Sequence, residues 1–230
     1  MTGVQTCAFR SYVRALTEFC NEDLGEFYFD VRKDCLYCDA ATDPKRLAYR
    51  TVLDTLFHAL VRYAAPVLVF TAEEVWGTRY PELRSVHLLE WPDVSFEWVN
   101  ADIETTWAER REVRRANNFA VEQLRKQKLV GSGNSANTSI TVAGTKFEFA
   151  EISEVFLVAP EPTLEDEAKF IWVPVQGPFT TLAAPQISVT ARPTAFHKCG
   201  RCWRHLPEVA SDGALCSRCD QVVAGKDPGA

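Results

Sequence analysis

Hydrophobic residues recur every three or four positions through the first half of the chain, and every second position through much of the remainder. Tyr12, Leu16 and Phe19 predict a helix from about Phe9. Asp23 reads as the N-cap of a second segment reaching Tyr37, with Leu24, Phe27, Tyr28 and Val31 at helical spacing. Asp43 followed by Pro44 predicts a sharp helix start, because proline at the first helical position gives up no hydrogen bond. That helix runs to about Ala64 and sets Leu53, Leu56, Phe57 and Leu60 on one face. Pro66 opens a further helix ending near Gly77, and Pro81 and Pro92 mark residues 78–100 as loop. A long helix follows from about Asp102 to Lys128. Its stripe of Val113, Ala120 and Leu124 faces roughly opposite Arg111, Arg114, Arg115, Arg125 and Lys126, at about 100° per residue.

Beyond Gly131-Ser132-Gly133 the period falls to two. Ile140 with Val142, Phe147 with Phe149, and Val155 with Leu157 predict short strands. Residues 161–184, rich in proline and acids, predict loop with one strand, Phe170 to Val175, and Ile187, Val189 and Ala191 predict a last strand. The fold class is mainly α. A helical bundle over 9–128 precedes a small mixed α/β region over 129–195, a cysteine-bearing segment over 196–223 and a tail over 224–230. Residues 1–8 fit no element and are expected to be a non-native leader.

Composition narrows the function classes. The 230 residues are 47 % hydrophobic and 11 % aromatic, enough to supply real cores rather than a disordered chain. No apolar run approaches the roughly 20 residues of a membrane span, and no basic segment with an apolar core opens the chain as a secretory signal would. A cytoplasmic chain with no membrane partner is the default. The net charge of −6 argues against gripping nucleic acid with the whole surface, though not against a local basic face.

The eight cysteines then matter, since paired thiols in a reducing compartment point to metal more than to disulfides. Cys199-x-x-Cys202 and Cys216-x-x-Cys219 lie 13 residues apart, and such pairs place four thiolates around one tetrahedral Zn²⁺. Four protein ligands leave no position for water, so the site is structural. Lys198, Arg201, Arg204 and Arg218 are placed to favour thiolates. So short a segment has little core, and metal binding would supply much of its folding energy, on the order of 10 kcal/mol. Cys35 and Cys38 share the spacing, but they sit in a helical context with no second pair nearby. They read first as ordinary thiols and second as a redox pair.

Several segments, in order, resemble one family, the bacterial isoleucyl-tRNA synthetases among the class I aminoacyl-tRNA synthetases. Asp23-Leu24 with Phe27-Tyr28-Phe29-Asp30 and Lys33-Asp34-Cys35-Leu36-Tyr37 resembles the motif that opens the family's anticodon-binding bundle, where Arg usually stands at the position of Cys35. Ala65-Pro66-Val67-Leu68 with Phe70-Thr71-Ala72-Glu73-Glu74-Val75-Trp76 resembles the next family segment. Val113, Glu122, Arg125, Lys128 and Gly131-Ser132 resemble the helix and turn that close the bundle. Lys198-Cys199-x-Arg201-Cys202-Trp203 and Leu215-Cys216-x-Arg218-Cys219 are similar to the family's C-terminal zinc finger. The family's two ATP-handling signatures, His-x-Gly-His and Lys-Met-Ser-Lys-Ser, are missing, and Gly133-Asn134-Ser135-Ala136 is a loosened form of the family's phrase.

The resemblance implies the C-terminal anticodon-binding and zinc-finger region of a longer ligase. Its partners would be isoleucine tRNA and the catalytic and editing domains. ATP would belong to the full-length enzyme, and this part would be inactive in aminoacylation alone and monomeric. Candidate tRNA contacts are Arg111, Arg114, Arg115, Arg125 and Lys126 on the long helix, and Arg201, Trp203, Arg204 and Arg218 on the finger. Trp203 has two readings, a base-stacking ring or the anchor that packs the finger onto the α/β region, and packing is preferred because so small a finger needs a hydrophobic anchor. Two rivals are a stand-alone tRNA-binding module and a DNA glycosylase of the formamidopyrimidine type, whose finger is similar. The glycosylase reading lacks an N-terminal proline nucleophile and leaves the bundle motifs unaccounted for.

Overall fold

The computed structural model describes residues 3–93, 95–147, 151–161 and 187–225. Its contacts divide the chain into two units that meet in sequence at residues 99 and 100.

In the first unit α1 (Gly3–Glu18) passes into a π-helical stretch (Phe19–Phe29) and then α2 (Asp30–Cys38) without a break. The expected cap at Asp23 is therefore not one. Asp23 lies inside a helical ladder widened to i→i+5, with the neighbouring Leu24 buried. Asp43 does cap α3 (Pro44–Ala64), its carboxylate accepting from the backbone N–H groups of Lys45 and Arg46 at 2.8 and 3.4 Å. Pro66 falls in the turn after α3, and α4 (Val69–Arg79) starts three residues later than the proline suggests.

Val61, Ala65, Ala72, Trp76 and Val86 make a buried cluster, with Phe57, Tyr80 and Leu89 packed against it. Residues 84–86 are held in place by side chains of α4. The Trp76 indole N–H donates to the Arg84 carbonyl at 3.0 Å, and the Glu73 carboxylate accepts from Ser85 Oγ and the Val86 N–H at 2.7 and 3.1 Å. At the other end Tyr28 meets Tyr49 edge to face, with centroids 5.4 Å apart.

The second unit starts with Asn100, whose side chain caps α5 (Ala101–Lys126) by accepting from the N–H groups of Asp102 and Ile103. The expected stripe of Val113, Ala120 and Leu124 is buried, together with Ala116, Asn117 and Val121. This face packs on a three-stranded antiparallel sheet ordered β2 (Thr145–Lys146), β1 (Ala136–Val142), β3 (Ile187–Pro193). In register, Ile140 lies opposite Val189 and Ala136 opposite Pro193. The long helix thus shares its core with the sheet, and the compact-unit limit does not coincide with the domain limit expected at 128.

The pair Val155 and Leu157 is not a strand. Residues Ile152–Val155 form a short helix, α6, that buries Val155 and Phe156, and Leu157 takes a left-handed φ of 56°. Gly133 allows this close passage, because a Cβ there would sit 2.6 Å from the Leu157 carbonyl oxygen. Phe149 and the strand expected over Phe170–Val175 lie outside the described residues.

Candidate metal centre and nucleic-acid interface

Two short antiparallel strands, β4 (His197–Lys198) and β5 (His205–Leu206), carry Cys199 and Cys202 in the loop between them. Cys216 and Cys219 flank the start of α7 (Ser217–Val223). The two knuckles approach closely at Gly200, where a Cβ would lie 2.5 Å from the Gly213 carbonyl oxygen. Two backbone hydrogen bonds tie them: Gly200 N–H to the Ala214 carbonyl at 3.1 Å and Gly213 N–H to the Lys198 carbonyl at 2.9 Å. Asp212 accepts from the Lys198 N–H at 2.8 Å and faces His197 Nδ1 at 3.4 Å.

The four sulfurs all lie within 4.8 Å of one another, and Cys202 Sγ stands 3.9 Å from Cys216 Sγ. A tetrahedron with metal–sulfur distances of about 2.3 Å has edges of about 3.8 Å, so the donor set fits Zn²⁺ in both chemistry and spacing. Cys199, Cys216 and Cys219 are buried and form the finger's core with Val209; Leu206, Ala214 and Leu215 pack around them. Burial pushes the Cys202, Cys216 and Cys219 thiols up. Burial acts on Cys199 the same way, but backbone donors at Cys202, Cys216 and Arg201 outweigh it and bring the thiol down to about 6.

Arginine supports this cluster less uniformly than expected. Arg201 Nη1 donates to Cys219 Sγ at 3.6 Å, and the Arg218 side chain hydrogen-bonds the Cys202 sulfur. The Arg204 side chain instead turns to α6, with Nη2 donating to Ser153 Oγ at 3.1 Å and Nη1 3.7 Å from Glu154 Oε1. Arg204 therefore anchors the finger to the rest of its unit. Trp203 does not: it is 65 % exposed, with a left-handed φ of 63°, and Lys198 Nζ lies 5.3 Å from its ring centroid. The expectation of an aromatic packing anchor is corrected on this point. A three-residue return from Cys199 to a Trp203 N–H bonded at 3.0 Å to the Cys199 carbonyl turns the ring outward.

On α5 the basic face is partly engaged. Arg114 Nε donates to the Val155 carbonyl at 2.9 Å, so this residue faces α6 rather than opposing the buried stripe. Arg115 pairs with Glu112, and Arg125 with Glu122 at 3.0 Å, each one turn back on the same helix. Arg111 is half-buried, and Lys126 is exposed on the last turn. The structure thus gathers the four cysteines, while the α5 cations lie on a separate element. Sequence spacing does not reveal the roles of the glycines at 200 and 213 or the Lys198–Trp203 pair, although the Cys-Gly dipeptide inside the first knuckle is a visible signal. Cys35 and Cys38 are buried on α2, and burial pushes the Cys35 thiol up, against the redox reading. No helix among the described residues is long and apolar enough to cross a membrane.

Comparison with known proteins agrees with this geometry. The model of the anticodon-binding domain of tRNA ligases matches residues 2–141, and the model of the zinc finger found in FPG and IleRS matches residues 196–222. Isoleucine–tRNA ligases from Zymomonas mobilis, Gluconobacter oxydans and Ruegeria pomeroyi are 44 %, 37 % and 38 % identical over 96 %, 97 % and 94 % of the chain. The chain spans 22 % of the length of each of these relatives. With the bundle and the four-cysteine finger joined in one chain, the protein belongs to the anticodon-binding family of tRNA ligases, and the part of that family it resembles is the C-terminal region of the isoleucine–tRNA ligases.

Proposed function

We propose that this chain is the tRNA-recognition end of an isoleucine–tRNA ligase, serving ATP-dependent aminoacylation carried out by a catalytic domain. Its tRNA is isoleucine tRNA, and its place is the cytoplasm. The observation that carries the reading is the joining of the anticodon-binding match to the finger match in one chain. A glycosylase does not account for the bundle match, and the similarity to the three isoleucine–tRNA ligases favours the ligase over a stand-alone module.

Cys199, Cys202, Cys216 and Cys219 would hold one structural Zn²⁺, whose charge and cross-link stabilise a finger with little other core. The outward Trp203 ring and the adjacent Lys198 suit a base and its phosphate, with Arg201 and Arg218 near the same knuckles. Arg111, Arg115, Arg125 and Lys126 suit phosphate contacts that position the RNA rather than read it. Arg114 and Arg204, already bonded within their unit, act through the protein.

Filter binding of the purified chain to isoleucine tRNA across salt concentrations tests the proposal. Affinity should fall steeply with salt, as phosphate contacts require, and chelation of zinc should weaken it. Affinity indifferent to salt would rule out the phosphate contacts, and affinity indifferent to zinc would remove the finger from recognition.

A further inference from the structure

In the first unit, the end of α3, the turn after it and the segment following Val86 enclose a cavity of about 120 Å³. Ala65, Pro66 and Leu89 form its apolar walls, and Arg62, His87 and Trp91 supply its polar and aromatic groups. The bundle uses only part of this chemistry. Arg62 Nε is buried without a hydrogen-bond partner, and no ion pair neutralises the guanidinium among the described residues. His87 Nε2 is 3.1 Å from the Val69 carbonyl, which fixes the ring at the rim.

Trp91 is 59 % exposed, yet it is not loose. Its ring lies 5.0 Å from Tyr63 and 6.3 Å from Tyr12, and the Tyr12 hydroxyl donates to the Tyr63 carbonyl at 2.5 Å. Two tyrosines therefore brace an indole whose remaining surface is open. An uncompensated buried donor costs about 1–3 kcal/mol, and a rigid exposed indole stays wet on one side, so both are satisfied by a ligand that is flat and carries acceptors on its edge.

We infer that this cavity takes the base of one unstacked nucleotide of single-stranded RNA, set against Trp91 with an acceptor on its edge bonded to Arg62. The inference rests on the tRNA reading above and gives the bundle a base-binding site of its own. A duplex cannot enter it, since its bases are already stacked and paired. A phosphate alone satisfies Arg62 but leaves Trp91 uncovered.

The test uses the zinc-loaded chain and three probes: an RNA hairpin with a seven-nucleotide loop, a blunt duplex of the same stem, and uridine 5′-monophosphate. The Trp91 indole N–H resonance is assigned with Trp91→Phe, and affinities are read by fluorescence anisotropy. The hairpin should shift that resonance, and Arg62→Gln and Trp91→Ala should each weaken hairpin binding roughly tenfold while leaving the duplex unchanged. Arg62→Gln breaks no side-chain bond among the described residues, and thermal melting of both variants separates loss of binding from loss of structure. Hairpin binding unaltered in both variants would overturn the site while leaving the tRNA reading intact. If neither hairpin nor tRNA binds, that reading fails, and the mononucleotide decides the cavity alone. A Trp91 shift that Arg62→Gln abolishes supports it, and no shift at millimolar concentration overturns it.

Discussion

Replacing Gly200 by alanine tests how the two cysteine knuckles are held together. The added Cβ would stand 2.5 Å from the Gly213 carbonyl oxygen, 3.2 Å from its carbon and 3.3 Å from its Cα. These are backbone atoms, and Gly213 itself sits at φ +91°, so no side-chain rotation relieves the clash. The knuckles must separate by several tenths of an ångström. That weakens the bonds from Gly200 N–H to Ala214 and from Gly213 N–H to Lys198, each worth about 1 kcal/mol when intact, by roughly half. Overpacking adds roughly 1–3 kcal/mol. A total of about 2–4 kcal/mol falls on a segment whose folding is coupled to metal binding, so zinc affinity should drop by roughly 30- to 1000-fold. Competition against a chromogenic chelator reads this directly, with Gly131→Ala as the control, since nothing lies within 4 Å of a Cβ there. Zinc affinity of Gly200→Ala within threefold of the parent would refute the reasoning.

Other substitutions probe separate links. Arg204→Ala should weaken tRNA binding without changing its salt slope, because the side chain is spent on Ser153 and Glu154; a direct phosphate contact would lower the slope by about one. Ala143 sits at φ +50° beside Gly144 at +80° in the turn joining β1 and β2, so Ala143→Gly should stabilise the second unit by about 1 kcal/mol in urea melts. Burial, with a smaller contribution from Tyr28, raises the Tyr49 hydroxyl to about 12. A folded pKa above the unfolded value of about 10 gives stability that is complete below pH 10 and lost on rising toward 12, so Tyr49→Phe should flatten part of that fall in thermal melts.

The sequence was most legible where local chemistry and burial agree. Asp43-Pro44 and the α5 stripe sit where caps and period place them. Asp23 misled because a capping residue can also ride inside a continuous ladder, and only the neighbouring Leu24, which the helix buries, decides between them. Val155 and Leu157 misled because two apolar residues at alternate positions also suit one helical turn followed by a left-handed exit. In the finger, cysteine spacing reveals the donor set but not the direction of the side chains between. Trp203 points out and Arg204 points in because the backbone turns at φ +63°, which no hydrophobic pattern encodes. Arg192, fully buried on β3, was equally invisible, since arginine in a strand reads as surface.

The central claim is that this chain recognises the anticodon end of isoleucine tRNA. The most direct measurement compares its affinity for isoleucine tRNA with that for the same tRNA body carrying an unrelated anticodon, at one fixed salt concentration. The account predicts at least a roughly tenfold loss on the exchange, since recognition is placed at unstacked loop bases. Equal affinity for the two would contradict it.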